Sequence, residues 1–263
     1  MNDSFFDILT GAWKTQLLLA SVENETLPPR IRRALDRVFP HPVNSPHMVK
    51  QMKRMAEYWK KLPNRGDIPL ASLEDHRIYM EAQEEKALFS LDSFLARLDL
   101  AGVRRLLDVG GGTAPYLRGI QKLRPDIQSV YMDIEDAAAL AREKGLQGKI
   151  ITGDIRELDW GKGHDLILLS HVIHMYGDET TRAFFRKAGV ALAEGGRLVV
   201  VEHFIDPEDD PFNFLFDINM LLGTEGGKCR TRQEVKDLAE NFSMKKDYLI
   251  DPRTGVLEFR TAG

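Results

Sequence analysis

A glycine-rich turn next to an acidic residue is the stretch whose residue types and spacing could do chemistry. A short apolar run leads into Asp108, and the glycines Gly110, Gly111 and Gly112 follow almost at once. Glycine lets the backbone turn sharply and approach a ligand closely, because a Cβ would collide there. A strand, a glycine turn and a helix in this order are typical of open α/β sheets that bind nucleotide-like ligands.

The turn lacks the third small residue of the dinucleotide-binding pattern. The pattern G-x-G-x-x-G needs a small residue where this sequence has Pro115, whose ring prevents close packing of helix on strand. Asp133, 21 residues after Gly112 at a predicted strand end, suits an acceptor for ribose hydroxyls. The spacing therefore favours a ligand with a ribose and no pyrophosphate, such as S-adenosylmethionine. A nicotinamide-dependent oxidoreductase stays as an alternative.

The composition argues against several classes of function. The 263 residues have a net charge of −4 and a pI of about 6.0, whereas broad nucleic-acid binding requires a basic face. Cys229 is the only cysteine, which excludes an internal disulfide and a cysteine metal cluster and favours a reducing cytoplasm. No apolar run approaches the roughly 20 residues that span a bilayer, so we expect no membrane association.

Hydrophobic periodicity divides the chain into two expected domains. Residues 1–100 show only helical patterns, and four helices are expected there, at 5–22, 23–38, 46–62 and 72–95. From 101 to 263 predicted strands alternate with helices, which indicates a doubly wound, mostly parallel, Rossmann-like α/β sheet. The strands are expected at 104–109, 129–133, 149–153, 165–169 and 197–202, with an antiparallel edge pair at 244–250 and 256–261. The helices are expected at 115–123, 136–144, 178–193 (ending in a glycine cap at Gly195) and 231–241, with an insertion at 207–227.

Six motifs along residues 104–242 resemble, in their order, those of a family of S-adenosylmethionine-dependent O-methyltransferases. The family comprises the plant enzymes of the phenylpropanoid and flavonoid type and their bacterial relatives in antibiotic and pigment tailoring. The motifs are LLDVGGGT ending at Thr113, Asp133, Gly153-Asp154, Val172-Ile-His174 before Gly177-Asp-Glu179, GGRLVVVE ending at Glu202, and GGKCRT ending at Thr231. The resemblance implies a class I methyltransferase fold, with S-adenosyl-L-methionine as cofactor and S-adenosyl-L-homocysteine as product. It is looser over residues 1–100, where the family's usual winged helix is not visible.

The resemblance implies cofactor contacts at the ends of successive strands. The implied cofactor-binding residues are Asp108, Gly110, Gly111, Gly112, Asp133, Gly153, Asp154, Ile155 and Ser170. Among them, Asp133 would accept from both ribose hydroxyls, and Asp154 would bracket the adenine with the Ile155 backbone. Ser170 falls where many relatives carry a lysine that contacts the cofactor.

By the same resemblance, His174 would be the general base and Glu202 would orient it. Both follow predicted strands and so lie at the carboxyl edge of the sheet, where ligands bind. A carboxylate on one imidazole nitrogen fixes the tautomer and stabilises the imidazolium. A phenol of pKa about 10 is only about 0.1% ionised at pH 7, and a base contributes typically ~10²–10⁴-fold. A small molecule with an aromatic or enolic hydroxyl is therefore the expected acceptor.

Two further histidines border this pair. His171 lies three residues before His174, but no third ligand with suitable spacing is evident, so no metal is expected. His203, next to Glu202, is expected to face the other way because side chains alternate along a strand.

Departures from the family pattern leave the acceptor open. Cys229 stands where many relatives carry a second glutamate beside the base, and Glu225 is a candidate replacement. Met175 follows the base where an aspartate is common, Met220 joins it in the expected substrate pocket, and Ala114 replaces a glycine after the turn. These departures keep a relative with hydroxylase-like or decarboxylase-like chemistry, or a binding module, as an alternative. The resemblance also implies a homodimer through the N-terminal helices, which would help to cover the substrate.

Overall fold

The computed structural model describes residues 73–205, 220 and 224–261. These residues belong to a compact unit that spans Asp67–Gly263. The helices expected at 5–22, 23–38 and 46–62 lie outside the described residues, as does most of the insertion at 207–227. The domain boundary expected at residue 100 stays a prediction, and the helix before it, α1 (Leu73–Arg97), belongs to the same unit as the sheet.

A seven-stranded sheet of order β3-β2-β1-β4-β5-β7-β6 forms the centre of the unit. Its strands are β1 (Arg105–Val109), β2 (Gln128–Asp133), β3 (Lys149–Thr152), β4 (His164–Ser170), β5 (Leu192–Glu202), β6 (Phe242–Asp251) and β7 (Thr254–Thr261). Strands β1 to β5 pair in parallel, and β7 runs antiparallel to β5 and β6. The other helices are α2 (Pro115–Leu123), α3 (Glu135–Glu143), α4 (Asp178–Ala191) and α5 (Arg232–Leu238), with a 3-10 turn at Ile173–Met175. The predicted doubly wound sheet and its antiparallel edge pair are confirmed.

The central strands β1 and β4 are buried on both faces. Leu106 and Leu107 of β1 have no exposed surface, and neither have residues 166–169 of β4. Leu107 packs in one core with Phe184 of α4, whereas Leu106 packs in a second core with Phe94 of α1. Continuous apolar runs of this kind are typical of parallel strands that helices cover on both sides.

The end of α4 differs from the prediction. The helix ends at Ala191 and β5 begins at Leu192, so the prediction that Gly195 caps the helix is wrong. Gly195 instead has φ +72° within the irregular start of β5, where the pairing with β4 shifts in register. A left-handed residue bends the strand, and the two stretches on either side of it pair with β4 separately.

Helix α1 is anchored on α2 by rings and by buried charges. The rings of Phe94 and Tyr116 meet edge to face, with centroids 4.9 Å apart. The carboxylate of Glu84 contacts the Arg118 guanidinium and lies 2.7 Å from Lys144 Nζ. Among the described helices, none is both long and apolar enough to cross a membrane.

Candidate active site

The turn after β1 has a backbone conformation that glycine adopts readily and other residues do not. Gly110 has φ +70° and Gly112 has φ +60°, both in the left-handed region. A Cβ at Gly110 would also lie 2.7 Å from Val172 Cγ2. Ala114 has φ +58°, which explains why glycine is usual in relatives at this position; a residue with a Cβ costs of the order of 1 kcal/mol there.

The carboxyl group of Asp108 is buried below this turn and has no hydrogen-bond partner among the described residues. A Cβ at Gly111 would collide with this carboxyl group. Burial raises the pKa of Asp108 to about 8, and the negative charge of Asp133 adds to the effect. Because a buried carboxylate without a partner is costly to ionise, this group would be stabilised by a cationic ligand.

Asp133, the last residue of β2, ties the turn to the neighbouring strand. Its Oδ2 accepts a hydrogen bond from Gly112 N at 2.8 Å, and its Oδ1 accepts one from Ile134 N at 2.7 Å. Tyr131 of the same strand donates to Gly112 O at 2.6 Å. Burial raises the pKa of Asp133. Each carboxylate oxygen accepts more than one hydrogen bond, so the side chain retains acceptor capacity.

The third expected cofactor segment follows β3. Gly153 N donates at 3.0 Å to the backbone carbonyl of the last residue of β2, which brings the segment next to the glycine turn. Asp154 Oδ2 lies 2.5 Å from Arg156 Nη2, and hydrogen bonding to this guanidinium lowers the pKa of Asp154. Ile155 in this segment and Ser170 at the end of β4 are both buried.

His174 and Glu202 meet at the carboxyl ends of β4 and β5. His174 Nδ1 lies 2.6 Å from Glu202 Oε2, and the His174 backbone N–H donates to Glu202 Oε1 at 3.3 Å. Both residues are buried, with relative exposures of 4% and 2%. An ionised carboxylate only accepts, so Nδ1 carries the proton and Nε2 is the acceptor nitrogen. This is the geometry of an imidazole base with an orienting carboxylate.

Arg230 holds the short turn that carries His174. Its Nη1 donates to Ile173 O and its Nη2 to Tyr176 O, both at 2.7 Å, and its Nε donates to Asp178 Oδ1 at 2.9 Å. The planar donors of a guanidinium suit two carbonyls on one turn. Sequence reasoning did not single out this buried arginine, and its place in the GGKCRT motif is the only signal that could have found it.

Two further imidazole rings lie near Glu202. His171 Nδ1 is 3.9 Å from Glu202 Oε2, and the ring centroids of His171 and His203 are 4.8 Å apart. The expectation that His203 faces the other way is therefore wrong. Strand β5 ends at Glu202, so strand alternation does not extend to His203, whose Nδ1 lies 2.8 Å from Arg253 O. Burial lowers the pKa of His171 and lowers that of His203 to about 3, so both rings are neutral near pH 7.

His171, His174 and Glu202 each place one potential metal-ligand atom within 4.8 Å of the others. The spacing of the two histidines reveals no third ligand, but the fold supplies one from 28 residues beyond His174. Parallel strands make this possible, because β4 and β5 end at the same edge of the sheet.

The residues expected near the acceptor occupy different environments. Met220 and Cys229 are buried in a small cluster of their own, Met175 beside the base is 37% exposed, and Glu225 is exposed. That Glu225 supplies the carboxylate expected at the position of Cys229 stays a prediction. Lys86 on α1, which sequence reasoning missed, brings a positive charge to this region. Burial lowers the pKa of Lys86 to about 8, and neighbouring acidic groups act in the opposite direction.

The strand order, the glycine turn and the acidic strand ends define the fold of class I methyltransferases. The human N-acetylserotonin methyltransferase, solved in complex with SAM, shares this fold with a TM-score of 0.75 and 18% identity, over 100% of this chain and 99% of that one. A family model described as an O-methyltransferase domain matches residues 67–243. The chain belongs to this family, which leaves the nicotinamide alternative without support.

Two curated relatives differ in their chemistry. A 3-hydroxy-5-methyl-1-naphthoate 3-O-methyltransferase from Streptomyces sahachiroi is 32% identical over 154 residues, which cover 54% of this chain and 45% of that protein. The aclacinomycin 10-hydroxylase RdmB from Streptomyces purpurascens is 34% identical over 171 residues, which cover 58% of this chain and 44% of that protein. The matched part of the chain thus spans about half the length of these relatives.

Proposed function

We propose that this protein transfers a methyl group from S-adenosylmethionine to the hydroxyl of a small aromatic or enolic molecule, with His174 as general base and Glu202 as its orienting partner. The observation that carries the proposal is the 2.6 Å contact between His174 Nδ1 and Glu202 Oε2, at the same sheet edge as the glycine turn. Membership of the O-methyltransferase family supports the reaction class, and the relative named for a hydroxynaphthoate supports the substrate class.

The residues around the glycine turn fit S-adenosylmethionine. This cofactor carries an ammonium and a sulfonium group, and Asp108 provides a buried carboxyl group without a partner among the described residues. Gly110 and Gly112 leave the backbone open to close approach, and Asp133 retains acceptor capacity for ribose hydroxyls. When bound, the cofactor supplies an electrophilic methyl group. The SAM complex of the human protein with this fold supports the assignment.

His174 Nε2 would take the proton from the acceptor hydroxyl. Because Nδ1 is bonded to Glu202, the ring presents Nε2 as its basic nitrogen, and the carboxylate stabilises the imidazolium that forms. An imidazole is a strong enough base to assist a phenol or enol, and it assists a simple alcohol poorly. Burial of both side chains keeps bulk water away from the transferred proton.

The test uses methyl-labelled S-adenosylmethionine with a pool of catechols, phenolic acids, flavonoids and hydroxyquinones. His174→Asn keeps a donor towards Glu202 but removes the base, so transfer should fall by roughly a hundredfold or more, with cofactor binding retained in a thermal-shift assay. His164→Asn is the matched control, since this buried histidine bonds Trp160 O at 2.9 Å at the other end of β4. Transfer that survives His174→Asn would discard His174 as the base.

A second candidate is hydroxylation without methyl transfer. Similarity to a protein named as a hydroxylase favours it, as does Cys229 in place of the glutamate usual beside the base. The same assay distinguishes the two reactions when it is run in air with an added thiol reductant, because hydroxylation by O₂ consumes two electrons and releases the second oxygen atom as water. A product that gains oxygen while the label stays on the cofactor supports the second candidate, and a labelled product supports the first.

We also infer a cytoplasmic homodimer, in which residues 1–100 help to form the interface and the acceptor pocket. The single cysteine supports a reducing compartment, and the dimer rests on family resemblance alone. Sedimentation of the full chain tests the dimer, and a monomer at micromolar concentration would remove it.

A further inference from the structure

His171, His174 and Glu202 form a compact cluster at the ends of β4 and β5. One ligand atom of each lies within 4.8 Å of the others. The distances to Glu202 Oε2 are 2.6 Å from His174 Nδ1 and 3.9 Å from His171 Nδ1. The side chains of His174 and Glu202 are buried, whereas that of His171 is 23% exposed, so His171 forms the accessible side of the cluster.

This is a ligand set that transition-metal cations prefer. Two imidazoles and one carboxylate hold zinc or non-haem iron in many proteins. Bonds from zinc to these ligands are about 2.0–2.2 Å long, so the ligand atoms around a tetrahedral ion lie about 3.4 Å apart. The separation of 3.9 Å between His171 and Glu202 would have to shorten by about 0.5 Å. The contact of 2.6 Å between His174 and Glu202 would have to lengthen by about 0.8 Å, and rotations of the side chains would supply both shifts.

Two independent features single out His171. Its φ of +56° is unusual for a residue with a Cβ, and backbone conformations of this kind concentrate at functional sites. The ring of His203 packs against it at 4.8 Å between centroids and so supports it beside Glu202.

We propose that His171, His174 and Glu202 bind one divalent transition-metal cation such as Zn²⁺. The binding itself does not depend on the proposed function, but its consequence does. An ion bound to His174 Nδ1 leaves the proton of the neutral imidazole on Nε2, the nitrogen that would act as the base, and it also occupies the carboxylate that orients the ring. An occupied site therefore blocks methyl transfer. The positive charge of Lys86 acts on both His171 and Glu202 and opposes any cation, which favours ions with strong bonds to nitrogen over Mg²⁺ or Ca²⁺.

Metal binding is tested directly on the full chain after treatment with chelator. Zn²⁺ is titrated by calorimetry, and Co²⁺ by its visible absorption, with Mg²⁺ as the comparison ion. We expect one Zn²⁺ per chain at this site, an affinity at least about tenfold lower in His171→Ala because a ligand is lost, and wild-type binding in His164→Ala. If His171→Ala does not fold, Glu202→Gln serves as the second ligand variant. Equal Zn²⁺ affinity in wild type and ligand variants, or no Zn²⁺ binding by wild type, would overturn the proposal.

Methyl transfer measured in EDTA keeps this proposal separate from the proposed function. Zn²⁺ should suppress transfer in wild type, and at the same concentration much less in His171→Ala, with each protein compared with its own metal-free rate. Zn²⁺ binding without any transfer in EDTA would retain the metal site and remove the methyltransferase proposal. Transfer in EDTA without Zn²⁺ binding would retain the methyltransferase proposal and remove the metal site.

Discussion

The free energy of unfolding of Asp108→Asn should rise relative to that of the wild type as the pH increases. Burial raises the pKa of Asp108 from 3.8 to about 8 in the folded protein. Below pH 3.8 both the folded and the unfolded wild type hold this proton. Between the two pKa values the unfolded chain ionises and the folded protein does not, so the stability of the wild type falls as pH rises. Asparagine has nearly the same shape and no proton to lose.

The expected slope follows from the two pKa values. One pKa unit corresponds to 1.36 kcal/mol, so the difference between variant and wild type should grow by about 3 kcal/mol from pH 5 to pH 7. The full interval from 3.8 to about 8 sets an upper bound of about 6 kcal/mol. The side chain has no exposed surface, so screening by solvent does not reduce this value. Differences of this size are a large part of the ~5–15 kcal/mol that stabilises a typical fold.

Urea unfolding at a series of pH values measures this difference, with Trp160 as the probe. Trp160 is buried in the core beside the sheet, and Trp13→Phe with Trp59→Phe removes the other two tryptophans. Asp126→Asn is the control. Its partner Arg124 lowers the pKa of Asp126, so this group is ionised in both the folded and the unfolded state from pH 5 to 7. The difference in free energy of unfolding between Asp126→Asn and the wild type should therefore not change with pH. If the difference in free energy of unfolding between Asp108→Asn and the wild type does not change with pH, Asp108 is ionised in the folded protein, and the reasoning from burial is refuted.

Three further substitutions test the site. Glu202→Gln should lower kcat/KM by roughly 10- to 150-fold, because a hydrogen bond to a charged group contributes about 1.5–3 kcal/mol, while calorimetry should show unchanged cofactor affinity. Arg230→Lys should lose the paired contacts with two carbonyls of the turn that carries the base. It should lower kcat by about tenfold or more at an unchanged KM for the cofactor, whereas exposed Arg186→Lys should have no such effect. Gly110→Ala should reduce thermal stabilisation by S-adenosylhomocysteine, because alanine is strained at φ +70° and its Cβ, 2.7 Å from Val172 Cγ2, would displace the turn; a normal shift would contradict a role of this turn in cofactor binding.

The backbone of the proposed cofactor site could be predicted because short stretches of sequence determine it. The spacing of Gly110 and Gly112 predicts a turn of left-handed residues, and both have positive φ. The apolar run before Asp133 predicts a buried strand that ends there, and β2 ends at Asp133. Each of these features depends on neighbours within a few positions, so periodicity and residue type were sufficient.

The base side depends on contacts between distant residues, which one sequence does not reveal. Arg230 bonds a carbonyl 57 residues away, and His203 bonds one 50 residues away. The predicted strand placed Glu202 at the correct edge of the sheet. The alternation of side chains gave the wrong direction for His203, because the strand ends between the two residues. The pattern of α1 predicts a helix, but it does not indicate that Lys86 acts on the charges of Glu202.

His174, the proposed base, is held through its main chain as well as through its ring. Glu202 contacts both Nδ1 and the backbone N–H of His174, and Arg230 bonds the two carbonyls that flank this histidine. These contacts do not involve the side chains of Met175 or Cys229, where the sequence departs from the family pattern. These hydrogen bonds therefore do not depend on which side chains stand at those two positions. Under the proposed mechanism, the two departures bear on the acceptor side of the site.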